Sequence, residues 1–127
     1  MDSPERVLLV TSDPELALLW QLEAGELLPD AAINYATGIA DALALTKARQ
    51  PNLIVINAHG WGLDEQKMLR MLCSAGRPDA RCLILGNGGS PTMREFRAAL
   101  RGEGAELRIR EDVQEPGRAP TDARREP

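Results

Sequence analysis

The chain has 127 residues, 43% hydrophobic and 27% charged, enough for one domain with one core and too few for two. A formal net charge of -4 and the lack of a concentrated Lys/Arg stripe argue against unaided binding of nucleic acid. No apolar run nears the roughly 20 residues of a membrane span, and the polar opening Met1 to Arg6 does not read as a signal peptide, so no membrane contact and a cytoplasmic location are expected.

Arg6 to Val10 (RVLLV) predicts a first strand, since a short continuous apolar run suits a strand buried on both faces. Asp13 then caps a helix with Pro14 at its first position, where proline lacks only an N–H that would be unpaired anyway. That helix is expected to reach about Ala24, bury Leu16, Leu19 and Trp20, and close at Gly25. Ala32 to Ala36 predicts a second strand, broken at Gly38. Ile39 to Arg49 (IADALALTKAR) follows as a helix with Ile39, Ala42, Leu43 and Leu45 at helical spacing. Pro51 to Asn57 (PNLIVIN) is the central strand. Its Leu53, Ile54, Val55 and Ile56 alternate with no polar residue, and it stops at Asn57 before the loop Gly60-Trp61-Gly62. In open α/β sheets the carboxyl ends of the strands form the functional crevice, which puts Asn57 at that end.

A third helix is expected from about Asp64 to Ser74, with Met68, Leu69, Met71 and Leu72 inward. Arg81 to Leu85 is the fourth strand, Gly86 to Gly89 a turn, and Ser90-Pro91 the start of a fourth helix reaching about Arg101. Leu107 and Ile109, alternating with Arg108 and Arg110, predict a short fifth strand. Residues 1–110 therefore form one domain, and 111–127 a proline-bearing tail that is disordered or ordered by a partner. Cys73 and Cys82 belong to no C-x-x-C motif and are expected to stay reduced, one on a helix and one in a core strand, with no metal site.

Strands alternating with helices in this order predict a flavodoxin-like, doubly wound five-stranded parallel sheet whose last helix is weak or missing. RVLLVTSDPELALLW, ATGIADAL, PNLIVIN and GAELRIRED, in that order, resemble the landmarks of a response-regulator receiver domain of the CheY-like kind, over about residues 6 to 112. The resemblance implies two-component signalling and a pocket of five groups. An acidic pair binds Mg²⁺, an aspartate accepts a phosphoryl group from a partner kinase, and a hydroxyl and a lysine hold the phosphoryl oxygens.

Carried over residue by residue, none of the five is kept. The acidic pair falls on Thr11 and Ser12, which carry no charge for a hard cation, so Mg²⁺ binding is not expected. The acceptor falls on Asn57, whose neutral amide cannot form an acyl phosphate. The hydroxyl position falls on Gly86 and the lysine position on Glu111, a reversal of charge. The aromatic switch position on the fifth strand falls on Arg108. Asp13 and Asp64 are the nearest spare carboxylates, but a one-residue slip along a strand turns a side chain to the other face.

These positions imply a degenerate receiver without phosphotransfer or any other enzymatic activity, acting as a protein-interaction module in bacterial signalling or transcriptional regulation. Its partner would be a signalling kinase or regulator, or a second copy. Two alternatives stay open: a receiver-fold sensor of a small ligand or anion near Ser12, Asn57 and Gly86 to Gly89, and a regulator phosphorylated on a non-standard residue. Trp61 either folds back over the vacated pocket or is offered to a partner. His59 reads as a loop residue. Arg94, Arg97 and Arg101 make a basic side suited to an acidic partner or to solvent. Without a fifth helix beside the first, one face of the sheet is expected to be partly uncovered and available for dimerisation.

Overall fold

The structure is a computed structural model that describes residues 4–86 and 88–102. Its elements are β1 (Arg6–Val10), α1 (Pro14–Leu27), β2 (Ala32–Ala36), α2 (Ile39–Arg49), β3 (Leu53–Asn57), α3 (Leu63–Ala75), β4 (Arg81–Leu85) and α4 (Met93–Leu100). The strands pair in parallel in the order β2-β1-β3-β4. This is the doubly wound arrangement expected, with four of the five strands; the expected fifth strand, with Arg108, Glu111 and the tail, lies outside the described residues.

β3 is buried at every position, as its unbroken apolar run requires. Successive side chains leave it on opposite faces. On one face Val7, Leu9, Leu53, Val55 and Leu83 meet Trp20 and Ala24 of α1 and Phe96, Ala99 and Leu100 of α4. On the other, Leu8, Val10, Ile54, Ile56 and Cys82 meet Ala42 of α2 and Leu69 and Leu72 of α3. The Trp20 and Phe96 rings stack at 4.4 Å between centroids and 9° between planes. Such overlap contributes about 0.5–1.5 kcal/mol beyond the burial itself.

The place of α4 corrects the expectation of an uncovered sheet. It packs beside α1, on the face that the expected lack of a fifth helix would leave open. Arg97 Nε donates to Glu23 Oε2 of α1 at 2.5 Å and fastens the two helices. A right-handed crossover from β4 to a strand on its outer edge would carry its helix on the side of α2 and α3. The opposite placement of α4 serves to cover the sheet instead.

Several local expectations are also corrected. Gly25 does not end α1, which continues to Leu27 and is capped when Leu28 N–H donates to the Ala24 carbonyl at 2.8 Å. No φ near Gly25 lies in the left-handed region, so nothing there forces a stop. The start of α4 falls at Thr92 rather than Ser90. Glu95 stands three residues beyond Thr92, and each side chain accepts the other's backbone N–H, at 3.1 and 2.8 Å. Leu19, Met68 and Met71 face solvent, while Ala17 and Ala24 take the buried positions of α1.

The cysteines are not separate thiols. Cys73 on α3 and Cys82 on β4 are joined as a disulfide, with Cα atoms 6.0 Å apart. Docking Leu69 and Leu72 onto the sheet brings the next turn of α3 over β4, within the span such a bond allows.

Candidate functional site

The carboxyl ends of β1, β3 and β4 converge as doubly wound sheets require. Thr11 follows β1 and is fully buried; Asn57 closes β3 with 2% of its surface exposed. Asn57 Nδ2 donates to Thr11 Oγ1 at 3.0 Å, and Asn57 Oδ1 accepts from the His59 backbone N–H at 2.9 Å. The Asp13 N–H also donates to Thr11 Oγ1, at 3.3 Å. Both ends of the Asn57 amide are thus held by the protein, and a second asparagine rotamer would break the Thr11 and His59 bonds together.

The main chain of Asn57 is held as well. Trp61 Nε1 donates to its carbonyl at 2.8 Å, and the indole packs partly buried against the α2–α3 core. The indole is turned inward from the loop. Gln66 on α3 donates from Nε2 to the Trp61 carbonyl at 3.2 Å, and α3 starts where Glu65 Oε1 accepts the Gly62 N–H at 2.8 Å. Loop 58–62 is therefore fastened to the strand beneath it and to the helix after it.

Two glycines allow this closure. Gly86 has φ +80°, and a Cβ there would collide with Asn57 Oδ1 while lying 3.1 Å from the Gly89 carbonyl oxygen and 3.2 Å from the His59 nitrogen. Gly60, at φ +94°, passes so near Ser12 that a Cβ would sit 2.7 Å from its Oγ. Thr11, Ser12, Asn57 and Gly86 are thus brought together, whereas Arg108 and Glu111 lie outside the described residues.

The chemistry open to this arrangement is narrow. An amide nitrogen delocalises its lone pair into the carbonyl, so Asn57 offers no carboxylate nucleophile. Among the described residues no group of three or more His, Cys, Asp or Glu is placed to hold a metal ion. Asp13 is occupied as the cap of α1, its Oδ1 accepting from the Glu15 and Leu16 N–H groups at 3.0 and 3.4 Å. Asp64 and His59 are exposed, and Asp64 lies in the first turn of α3. Of the basic side, Arg97 is engaged by Glu23, while Arg94 and Arg101 are exposed. Sequence reasoning named Gly60 only as part of the loop Gly60-Trp61-Gly62 and missed Gln66, which nothing local marked.

No protein-family model and no curated protein matches the chain. Solved structures do. The receiver domain of NtrC4 from Aquifex aeolicus superposes with a TM-score of 0.53 at 18% identity, covering 82% of this chain and 83% of that one. A chain of the crystal structure of the P1 domain of CheA3 in complex with CheY6 from R. sphaeroides gives 0.51 at 22% identity, covering 80% and 79%. With the strand order and the two-sided helix layers, this likeness establishes that the chain has the CheY-like receiver fold.

Proposed function

We propose that this chain is a receiver-fold interaction module that works without phosphoryl transfer and without Mg²⁺, in two-component-type signalling or transcriptional regulation. One observation carries the reading. At the end of the central strand stands a buried, neutral Asn57 whose amide is bonded to Thr11 on one side and to the His59 N–H on the other. A phosphoryl group there would need a carboxylate, a cation to balance charge and donors free to receive it. The Asn57 amide donates to Thr11 and the His59 N–H donates to Asn57, which weighs against a small-anion sensor built on those groups.

The partner is a protein. CheY6 in the neighbour structure is crystallised with the P1 domain of CheA3, and the fold of this chain supports a partner of the same broad kind, a signalling kinase or regulator. Leu18, Leu19 and Leu22 on α1 stand 52%, 53% and 69% exposed, and Arg94 of neighbouring α4 and Arg101 at its C-cap are exposed, apolar and basic groups of the kind a protein surface engages. A second copy is the other occupant.

The test is intact-mass and light-scattering measurement of the chain with acetyl phosphate and Mg²⁺. The expected result is an unmodified mass and a molar mass indifferent to the phosphodonor. A phosphoryl adduct would overturn the reading and direct mapping first to Asp13 and Asp64.

A further inference from the structure

We propose that Cys73 and Cys82 form a reversible thiol–disulfide site that exchanges with small-molecule thiols and disulfides, Cys73 acting as the reactive sulfur and Cys82 as the resolving one. Nothing in this depends on whether the strand-end pocket takes a phosphoryl group. The two sulfurs are brought together by packing that exists apart from the bond. Leu69 and Leu72 seat α3 on Leu8, Val10, Ile54 and Ile56, and the next inward position of the helix, Cys73, then stands over β4 with its Cα 6.0 Å from that of Cys82. Pre-arrangement of this kind makes closure an intramolecular step with a high effective concentration. The chain has two cysteines, so no third thiol competes.

The two differ in access, and exchange requires access. Cys82 is 7% exposed within the sheet, whereas Cys73 is half-buried at the rim of the same cluster. In the oxidising direction the Cys73 thiolate attacks one sulfur of a small disulfide such as oxidised glutathione, and one glutathione thiolate leaves. The Cys82 thiolate then attacks Cys73 Sγ, and the second glutathione thiolate leaves. Two protein thiols are oxidised and one glutathione disulfide is reduced to two thiols; the two cysteine protons go to solvent or to the departing thiolates. Reduction retraces the steps, with a free thiolate attacking Cys73 Sγ. The bond pins α3 to β4, and α3 also carries Gln66, which holds the Trp61 and Ala58 carbonyls over the strand-end site. Redox state therefore acts on the helix that steadies the cover of Asn57.

The experiment equilibrates the reduced full-length chain with reduced and oxidised glutathione at set ratios, quenches with acid, labels free thiols with N-ethylmaleimide and reads intact and peptide masses. Expected are an all-or-none loss of two labels that reverses with added thiol, and a melting temperature for the oxidised chain higher by roughly 10 °C. Cys82→Ala should accumulate a glutathione adduct on Cys73, while Cys73→Ala should leave Cys82 at least about tenfold slower to label. In case either variant misfolds, brief labelling of the reduced wild-type chain gives the same order, Cys73 before Cys82. Persistence of both thiols in excess oxidised glutathione, a stable wild-type glutathione adduct, or faster labelling of Cys82 would each overturn the proposal.

Discussion

The two ends of β3 are closed by the same residue type, and the likeness says more about function than either end alone. At the amino end, Asn52 Oδ1 accepts from the Glu5 and Arg6 N–H groups at 3.1 and 2.9 Å, its own N–H donates to the Arg6 carbonyl, and its carbonyl accepts from the Arg81 N–H. This end ties three strands together. At the carboxyl end, where receivers keep reactive groups, Asn57 makes a bracket of the same kind with Thr11, His59 and Trp61. The end expected to be chemical is built like the end that is structural. A site waiting for a ligand leaves polar groups aimed at open space; the Asn57 amide and carbonyl are instead bonded within the protein.

The comparison can be broken by introducing reactive groups at the carboxyl end. Gly86→Ser adds a hydroxyl, yet at φ +80° and against Asn57 Oδ1 its Cβ has no room. A loss of about 3 kcal/mol in urea unfolding is expected, since strain of 1–3 kcal/mol adds to displacement of the Asn57 bonds. A neutral or stabilised variant would mean the pocket is looser than its geometry. Asn57→Asp supplies a carboxylate. The buried carboxylate keeps the His59 N–H but removes the amide donor from Thr11, at a cost of about 2 kcal/mol. Without an acidic pair it should still give no adduct with acetyl phosphate and Mg²⁺, and mass spectrometry that detects one would show that a single change revives the chemistry. Trp61→Phe sharpens the same point at the cover. It keeps most of the packing but leaves the Asn57 carbonyl without the indole N–H, for about 1.5 kcal/mol. Hydrogen exchange should quicken across 58–66 and stay unchanged across β1 and β2.

Much of this was legible in the sequence, for reasons that also explain the errors. RVLLV and LIVIN declare buried parallel strands because no polar residue interrupts them, and Asp13-Pro14 marks a helix start by chemistry that acts within one turn. Helix faces were harder to read. In α1 the run ALLW offers four apolar residues to a face that takes Ala17 and Trp20, so Leu18 and Leu19 are left outside. In α3 the pairs Met68-Leu69 and Met71-Leu72 each present one residue to the sheet, and a 3.6-residue period alone does not choose which. The side of the sheet taken by α4 has no local signal at all. Amphipathic spacing predicts that Phe96, Ala99 and Leu100 are buried, but the stack with Trp20 and the Arg97–Glu23 pair are tertiary outcomes. The cysteine pairing is of the same kind, set by how a helix docks and not by a spacing. At the site, the positions of Thr11, Ser12, Asn57 and Gly86 at the strand ends were legible, while the closure of the pocket around them was not.

The smallest expected effect isolates the amino end. Asn52→Ala removes one side-chain acceptor shared by two backbone N–H groups that lie near solvent. Water can take over there, so the cost is held to about 1 kcal/mol, below that of any change at the buried end. Because Asn52 and Asn57 lie at opposite ends of a strand and share no hydrogen-bond partner, Asn52→Ala and Trp61→Phe should add to within about 0.5 kcal/mol in a double-mutant cycle. Additivity would mean that the closed carboxyl end holds itself shut without help from the rest of the sheet. A coupling larger than that would make the two brackets parts of one cooperative unit running along β3, and a partner that opened the carboxyl end would then be working against the whole strand.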